Sequence, residues 1–172
     1  MLMLLVTSIM AVAAEPTATP TPTVQIDENG VVVGRMLIDA PPAEVRAAVQ
    51  QMHEQESPGL NVLSVDLKAR GNCQTITRTT RGLMTPLKLE TQRCPTEKGW
   101  REWLVASKDF TTYDVEWDVT RAGAGTEVHL RVNTQLAFSA PTSLVQMGTR
   151  NAIRESLADV IRRVLKPRSK TP

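Results

Sequence analysis

Catalytic signatures are missing from this sequence. It holds no Gly-x-Ser-x-Gly turn, no phosphate-binding glycine loop and no His-x-x-x-His pair, so no residue set points to a nucleophile-and-base reaction. Charge of one sign is lacking as well. The 20 basic and 18 acidic residues are mixed along the chain, the net charge is +2, and no phosphate-tracking stripe stands out, so nucleic acid is not an expected partner. The basic run Lys166-Pro167-Arg168-Ser169-Lys170 reads as a solvated terminus. Metal ligands are scarce: Cys73 and Cys94 would need further partners, His53 and His129 are the only histidines, and neither a metal nor another cofactor is expected.

What is present begins with an apolar leader. Residues 1–14 carry no charge and read as a signal peptide, because the stretch is shorter than the roughly 20 residues that span a bilayer and Ala11-Val12-Ala13 has the small-x-small form of a cleavage site. A basic segment ahead of it is lacking, and an uncleaved membrane anchor is the alternative. Residues 15–29, with Pro and Thr alternating up to Thr23, read as an extended linker. One folded domain with one core is expected over residues 30–167, followed by a disordered tail at 168–172.

Within the domain, Val31 to Ile38 is rich in β-branched residues and reads as a strand. Asp39 to Glu44 then supplies a capping acid and first-turn prolines, and Val45, Ala48, Val49 and Met52 recur at helical spacing until Ser57-Pro58-Gly59. After Leu60 the period becomes two. Strands are expected near Val62 to Ala69, Cys73 to Arg81, Leu87 to Cys94 and Trp100 to Ser107. A hairpin follows: Tyr113, Val115, Trp117 and Val119 alternate with acids, and Val128, Leu130 and Val132 alternate with polar residues across Gly123-Ala124-Gly125. From Pro141 to Lys166 a long amphipathic helix carries Ile153, Leu157, Val160, Ile161 and Val164 on one stripe, which must lie on the sheet. Strands bracketed by two helices in this way suggest a pocket between sheet and helix.

The cysteines fit this pattern. If the turn after Arg81 centres between Leu83 and Met84, antiparallel pairing sets Cys73 opposite Cys94, Thr75 opposite Gln92, Thr77 opposite Glu90 and Thr79 opposite Lys88, on a polar outward face. Opposed Cα atoms lie about 4.5 to 5.5 Å apart, within disulfide range, so a Cys73–Cys94 bond is expected, with two buried thiols as the alternative. With the leader, it argues for an exported protein in the periplasm or outside the cell.

The phrase Ile38-Asp39-Ala40-Pro41 followed by Glu44-Val45, the long antiparallel meander and the closing Leu144 to Leu165 helix together resemble the START-like (SRPBCC) superfamily, which includes Bet v 1-like, polyketide cyclase-like and coenzyme Q-binding proteins. The resemblance covers about Val31 to Lys166. It implies an α+β helix-grip fold, a curved antiparallel sheet wrapped around the long C-terminal helix with an elongated cavity between them. It also implies binding of lipids, quinones, polyketides or similar apolar molecules, with catalysis in a minority of members.

On that basis Trp103, Tyr113 and Trp117 are expected on inward strand faces, where they either line the cavity or pack as core. Val115, Leu130, Val132, Met147 and Ile153 carry the same two readings. Arg78 falls on the face shared with Ile76 and Leu89, where an unpaired charge is costly. It either greets a ligand head group or escapes through a bulge or by snorkelling, and Arg93 and Arg101 follow similarly. His53 and His129 read as solvated, and Asp114, Glu116 and Asp118 as an outer-face ladder of carboxylates. The leading expectation is an exported, monomeric binding protein for an apolar small molecule or lipid, with peripheral membrane contact. The alternatives are a cyclase- or hydrolase-like enzyme acting on an apolar ligand, and an interaction module whose cavity has closed.

Overall fold

A computed structural model describes residues 20–58, 62–82 and 85–165. The leader at 1–14, the turn at Leu83 and Met84 and the tail at 168–172 lie outside these residues. The chain forms β1 (Thr23–Ile26), β2 (Val32–Ile38), α1 (Pro42–Glu54), β3 (Val62–Arg70), β4 (Cys73–Thr80), β5 (Leu87–Pro95), β6 (Gly99–Ala106), β7 (Phe110–Ala122), β8 (Gly125–Leu136) and α2 (Thr142–Leu165). β1 lies inside the stretch read as linker. Its pairing with β2, Val24 opposite Gly34, draws that segment into the domain.

The eight strands form one sheet in the order β1-β2-β8-β7-β6-β5-β4-β3, antiparallel at every pairing. Each long strand shows the two-residue alternation that splits a wet face from a dry one; in β7, Val115, Trp117 and Val119 are buried. Register shifts between Val62 and Ser64, Glu90 and Thr91, and Phe110 and Thr112 mark irregularities that bend the sheet. The sheet is curved but not closed, with β1 and β3 as its edges.

α1 starts at Pro42, where a proline's missing N–H costs nothing, with Pro41 at the N-cap. Asp39 does not cap it: the helix begins later than expected and has no side-chain cap, and the Glu44 backbone N–H donates to the Pro41 carbonyl at 3.0 Å. Its buried stripe is Val45, Ala48, Val49 and His53. Arg46 reaches over to donate to the Glu97 and Val119 carbonyls at 3.2 and 3.1 Å, pinning α1 to the β5–β6 turn and β7.

α2 packs on β1, β2, β8 and α1 rather than along the whole sheet. Ile153, Leu157, Val160 and Ile161 are its buried residues. Gly34 in β2 permits the approach, since a Cβ there would collide with the Ile153 and Leu157 side chains. These residues join Val32, Met36, Ile38, Val45, Val49, Val119 and Val128 in the core. Among the described residues, no helix is long and apolar enough to cross a membrane.

Cys73 and Cys94 are joined by a disulfide with Cα atoms 4.3 Å apart. Thr75 opposite Gln92, Thr77 opposite Glu90 and Thr79 opposite Lys88 match the expected register pair for pair.

Candidate functional site

The first half of α2 stands off the sheet, and the space beneath it is a cavity of about 1040 Å³ bounded by β3 to β8, the end of α1 and α2. The helix face turned to this space carries Val145, Gly148, Thr149, Ala152 and Ser156, so small side chains leave the volume open. The strand wall is mostly apolar, with Val115, Leu130, Val132 and Leu136 among its members. Phe138 and Leu144 line the cavity and are exposed, which places its mouth at the β8–α2 junction.

Seven of the expected lining residues border the cavity: Arg78, Tyr113, Val115, Trp117, Leu130, Val132 and Ile153. Trp103 and Met147 do not. Met147 stands two residues before Thr149, about 200° round the helix, and is 55% exposed. Trp103 lies on the outer face of β6. Trp100 and Trp103 are three apart and cannot share one strand face, so either parity brings a charge inside: Arg101 with Trp103, or Glu102 with Trp100. The chain takes the second, because Glu102 opposes inward Val115 and finds two arginines waiting. Arg101 accordingly points outward, where its Nε and Nη2 donate to Asp114 at 3.1 and 2.9 Å.

The inner end of the cavity holds a buried ion cluster. Arg78 and Arg93 are each 5% exposed and Glu102 is 4% exposed. Arg78 contacts both Glu56 and Glu102, donating from Nη2 to each at 2.8 and 3.2 Å. Arg93 donates from Nε to Glu102 and from Nη2 to Glu56, both at 2.9 Å. Thr91 adds its hydroxyl to Glu102 at 2.7 Å. Two guanidinium groups and two carboxylates cancel, which is how a sheet interior accepts four charges that would be prohibitive singly. Arg78 therefore neither snorkels nor bulges outward; it is paired.

The electrostatics follow from this packing. Burial alone would raise the Glu102 carboxyl, but Arg78 and then Arg93, with hydrogen bonds from Arg78 and Thr91, hold it down at about 2. Glu56 is likewise held below its ordinary value, burial opposing and the Arg78 hydrogen bond and charge prevailing. Burial, and then the Glu102 charge, push the Tyr113 hydroxyl up to about 12. His53, read as solvated, is instead 4% exposed, between Trp100 and Trp117 with ring centroids at 5.4 and 5.7 Å. Burial, and then Arg93, hold its imidazole well below the usual histidine range. Its Nδ1 is buried without a hydrogen-bond partner among the described residues.

Glu56, Glu102 and His53 were not anticipated. His53 had a signal, since it continues the Val45 and Val49 stripe at four-residue spacing. Glu102 had one in the two parities of β6. Glu56 sits just after the α1 C-cap at Gln55, in irregular chain, where spacing predicts nothing. His129 and the carboxylates Asp114, Glu116 and Asp118 occupy the outer face as expected, with His129 Nε2 2.9 Å from Glu127 and Arg131 4.0 Å from Glu116.

No family model matches the sequence, and no curated protein matches it either. Solved structures do match in shape. The protein TTHA0849 from Thermus thermophilus superposes with a TM-score of 0.67 at 22% identity, over 81% of this chain and 99% of that one. A START superfamily protein from Mycobacterium smegmatis gives 0.59 at 14% identity over 76% and 93%. The STAR-related lipid transfer protein from Xanthomonas axonopodis gives 0.58 at 14% identity over 83% and 98%. At these identities the likeness is one of fold. An open antiparallel sheet gripping a C-terminal helix, with a cavity between them, is the fold that this chain shares with those proteins.

Proposed function

We propose that the protein is an exported, monomeric carrier that holds one apolar small molecule or lipid in the cavity beneath α2. The observation that carries this reading is the cavity itself: about 1040 Å³ of space with a mostly apolar surface and charged groups gathered at one end, at the upper end of the range for ligand pockets. Burying a ligand's apolar surface there is worth about 25 cal/mol per Å². The fold is one that the lipid transfer protein from Xanthomonas axonopodis also uses. Export is supported by the Cys73–Cys94 disulfide, a bond that persists in oxidising compartments, with the apolar leader at 1–14 acting as the signal. The exposed Phe138 and Leu144 at the mouth would touch a membrane surface during loading.

Binding is favoured over catalysis by the state of the polar groups. Glu56 and Glu102 are tied to arginines and held ionised, and the Tyr113 hydroxyl is held protonated, so none of these three is poised to exchange a proton. Native mass spectrometry of the protein purified from its host is expected to show a copurifying apolar adduct, and the delipidated chain to take up a fluorescent apolar probe. A folded chain that does neither refutes the reading.

A further inference from the structure

Glu56 differs from the other three members of the ion cluster in how it is held. Arg78, Arg93 and Glu102 project from β4, β5 and β6, and their side chains are at most 6% exposed. Glu56 comes from the irregular chain that follows α1, its side chain is 19% exposed, and it lines the cavity. Every arginine contact it makes is one that a free carboxylate could make in its place: a two-oxygen engagement of Arg78 and a bond from Arg93 Nη2. Remove it, and two guanidinium groups face a single carboxylate in a buried site, leaving one positive charge uncompensated at the end of an apolar cavity.

We infer that Glu56 is a built-in stand-in for the ligand's head group, and that the ligand is an amphiphile with a carboxylate at one end, which displaces the Glu56 side chain from Arg78 and Arg93. This inference rests on the carrier reading. The exchange keeps the cluster neutral whether the cavity is empty or filled, since one carboxylate leaves as another arrives. It also keeps the empty protein stable, because the arginines are never left bare. Glu102 cannot play the same part: its two oxygens are shared among Arg78, Arg93 and Thr91, and it is fixed within a central strand. The vacated place is the size of one carboxylate, which selects against bulkier head groups.

The test compares a pyrene-labelled fatty acid with the matching pyrene-labelled fatty alcohol on the full chain. In Glu56→Gln the competing charge is gone, so affinity for the acid is expected to rise about tenfold while affinity for the alcohol changes less than about twofold. Equal changes for both probes, or a weaker acid, overturn the inference. A second measurement on the unaltered chain needs no variant to fold: the acid, and not the alcohol, is expected to speed amide hydrogen exchange at Glu56 and Ser57 as the segment loses its anchor. Slowed or unchanged exchange with bound acid overturns it. If the alcohol enters and the acid shows neither effect, the stand-in role alone fails; if neither probe enters, the carrier reading fails and takes this inference with it.

Discussion

Replacing Glu102 with Gln interrogates the buried cluster through its pH dependence. The Glu102 carboxyl lies at about 2 against an ordinary 4.5. At about 1.4 kcal/mol per pH unit, that depression corresponds to about 3 kcal/mol of folded-state stabilisation. The sign is that of a depressed acid. The contribution is complete above pH 4.5, where the unfolded carboxyl is also ionised, and it drains away as the pH falls from 4.5 through 2 and the folded protein takes up its proton. Gln matches a protonated Glu in shape and does not titrate. The variant is therefore expected to be less stable than the parent by about 3 kcal/mol at pH 7, and the gap should narrow to nearly nothing at about pH 2. Urea unfolding at about pH 7, 4, 3 and 2, followed by tryptophan fluorescence from Trp100 and Trp117, measures it. Glu56 shares Arg78 and Arg93 with Glu102 and feels its charge, so its contribution differs between the two proteins, and the same comparison made in a Glu56→Gln background separates it. A gap that stays constant over that pH range would refute the assignment of Glu102 as an ionised, arginine-held group.

Reducing the Cys73–Cys94 bond, or replacing both cysteines with serine, is expected to cost about 3 kcal/mol, given the separation of 21 residues; thermal melts with and without reductant would show it. Two glycines should respond oppositely to alanine. Gly34→Ala drives a methyl group into Ile153 and Leu157 and is expected to lose about 1–3 kcal/mol. Gly148→Ala meets nothing within 4 Å inside α2 and is expected to gain up to about 1 kcal/mol, both read from denaturation midpoints. His53 resists protonation in the folded state but not in the unfolded chain, so stability should decline as the pH drops below about 6.5. His53→Gln should remove that portion of the decline, and an unchanged pH profile between about 7 and 5 would show that the histidine does not contribute.

Much of the architecture was legible because the signals were local. The alternation through Tyr113, Val115, Trp117 and Val119 and the cysteine register both depend on a two-residue period, and both appear in the structure as expected. The site was harder to read because its charges satisfy each other at a distance. Arg78 and Glu102 are 24 residues apart and Arg93 and Glu56 37 apart, and neither member of a pair announces the other. Read singly, Arg78 looked too costly to bury. In β6 the two parities were equally plausible on hydrophobicity, and only the long-range pairing of Glu102 decides between them, which is why Trp103 falls outside and Trp100 inside. The cavity depended on an opposite kind of signal. Attention to large apolar residues on α2 finds the core and misses the small ones, Gly148, Ala152 and Ser156, spaced four apart, that leave room.

That division along α2 has an evolutionary consequence. One half of the helix, through Leu157, Val160 and Ile161, secures the fold; the other, through Val145, Gly148, Thr149 and Ala152, sets how much space is left. Substitutions in the second group can lengthen, narrow or reshape the chamber without drawing on the stability held by the first. A lineage built on this helix is free to change the shape of that space one side chain at a time.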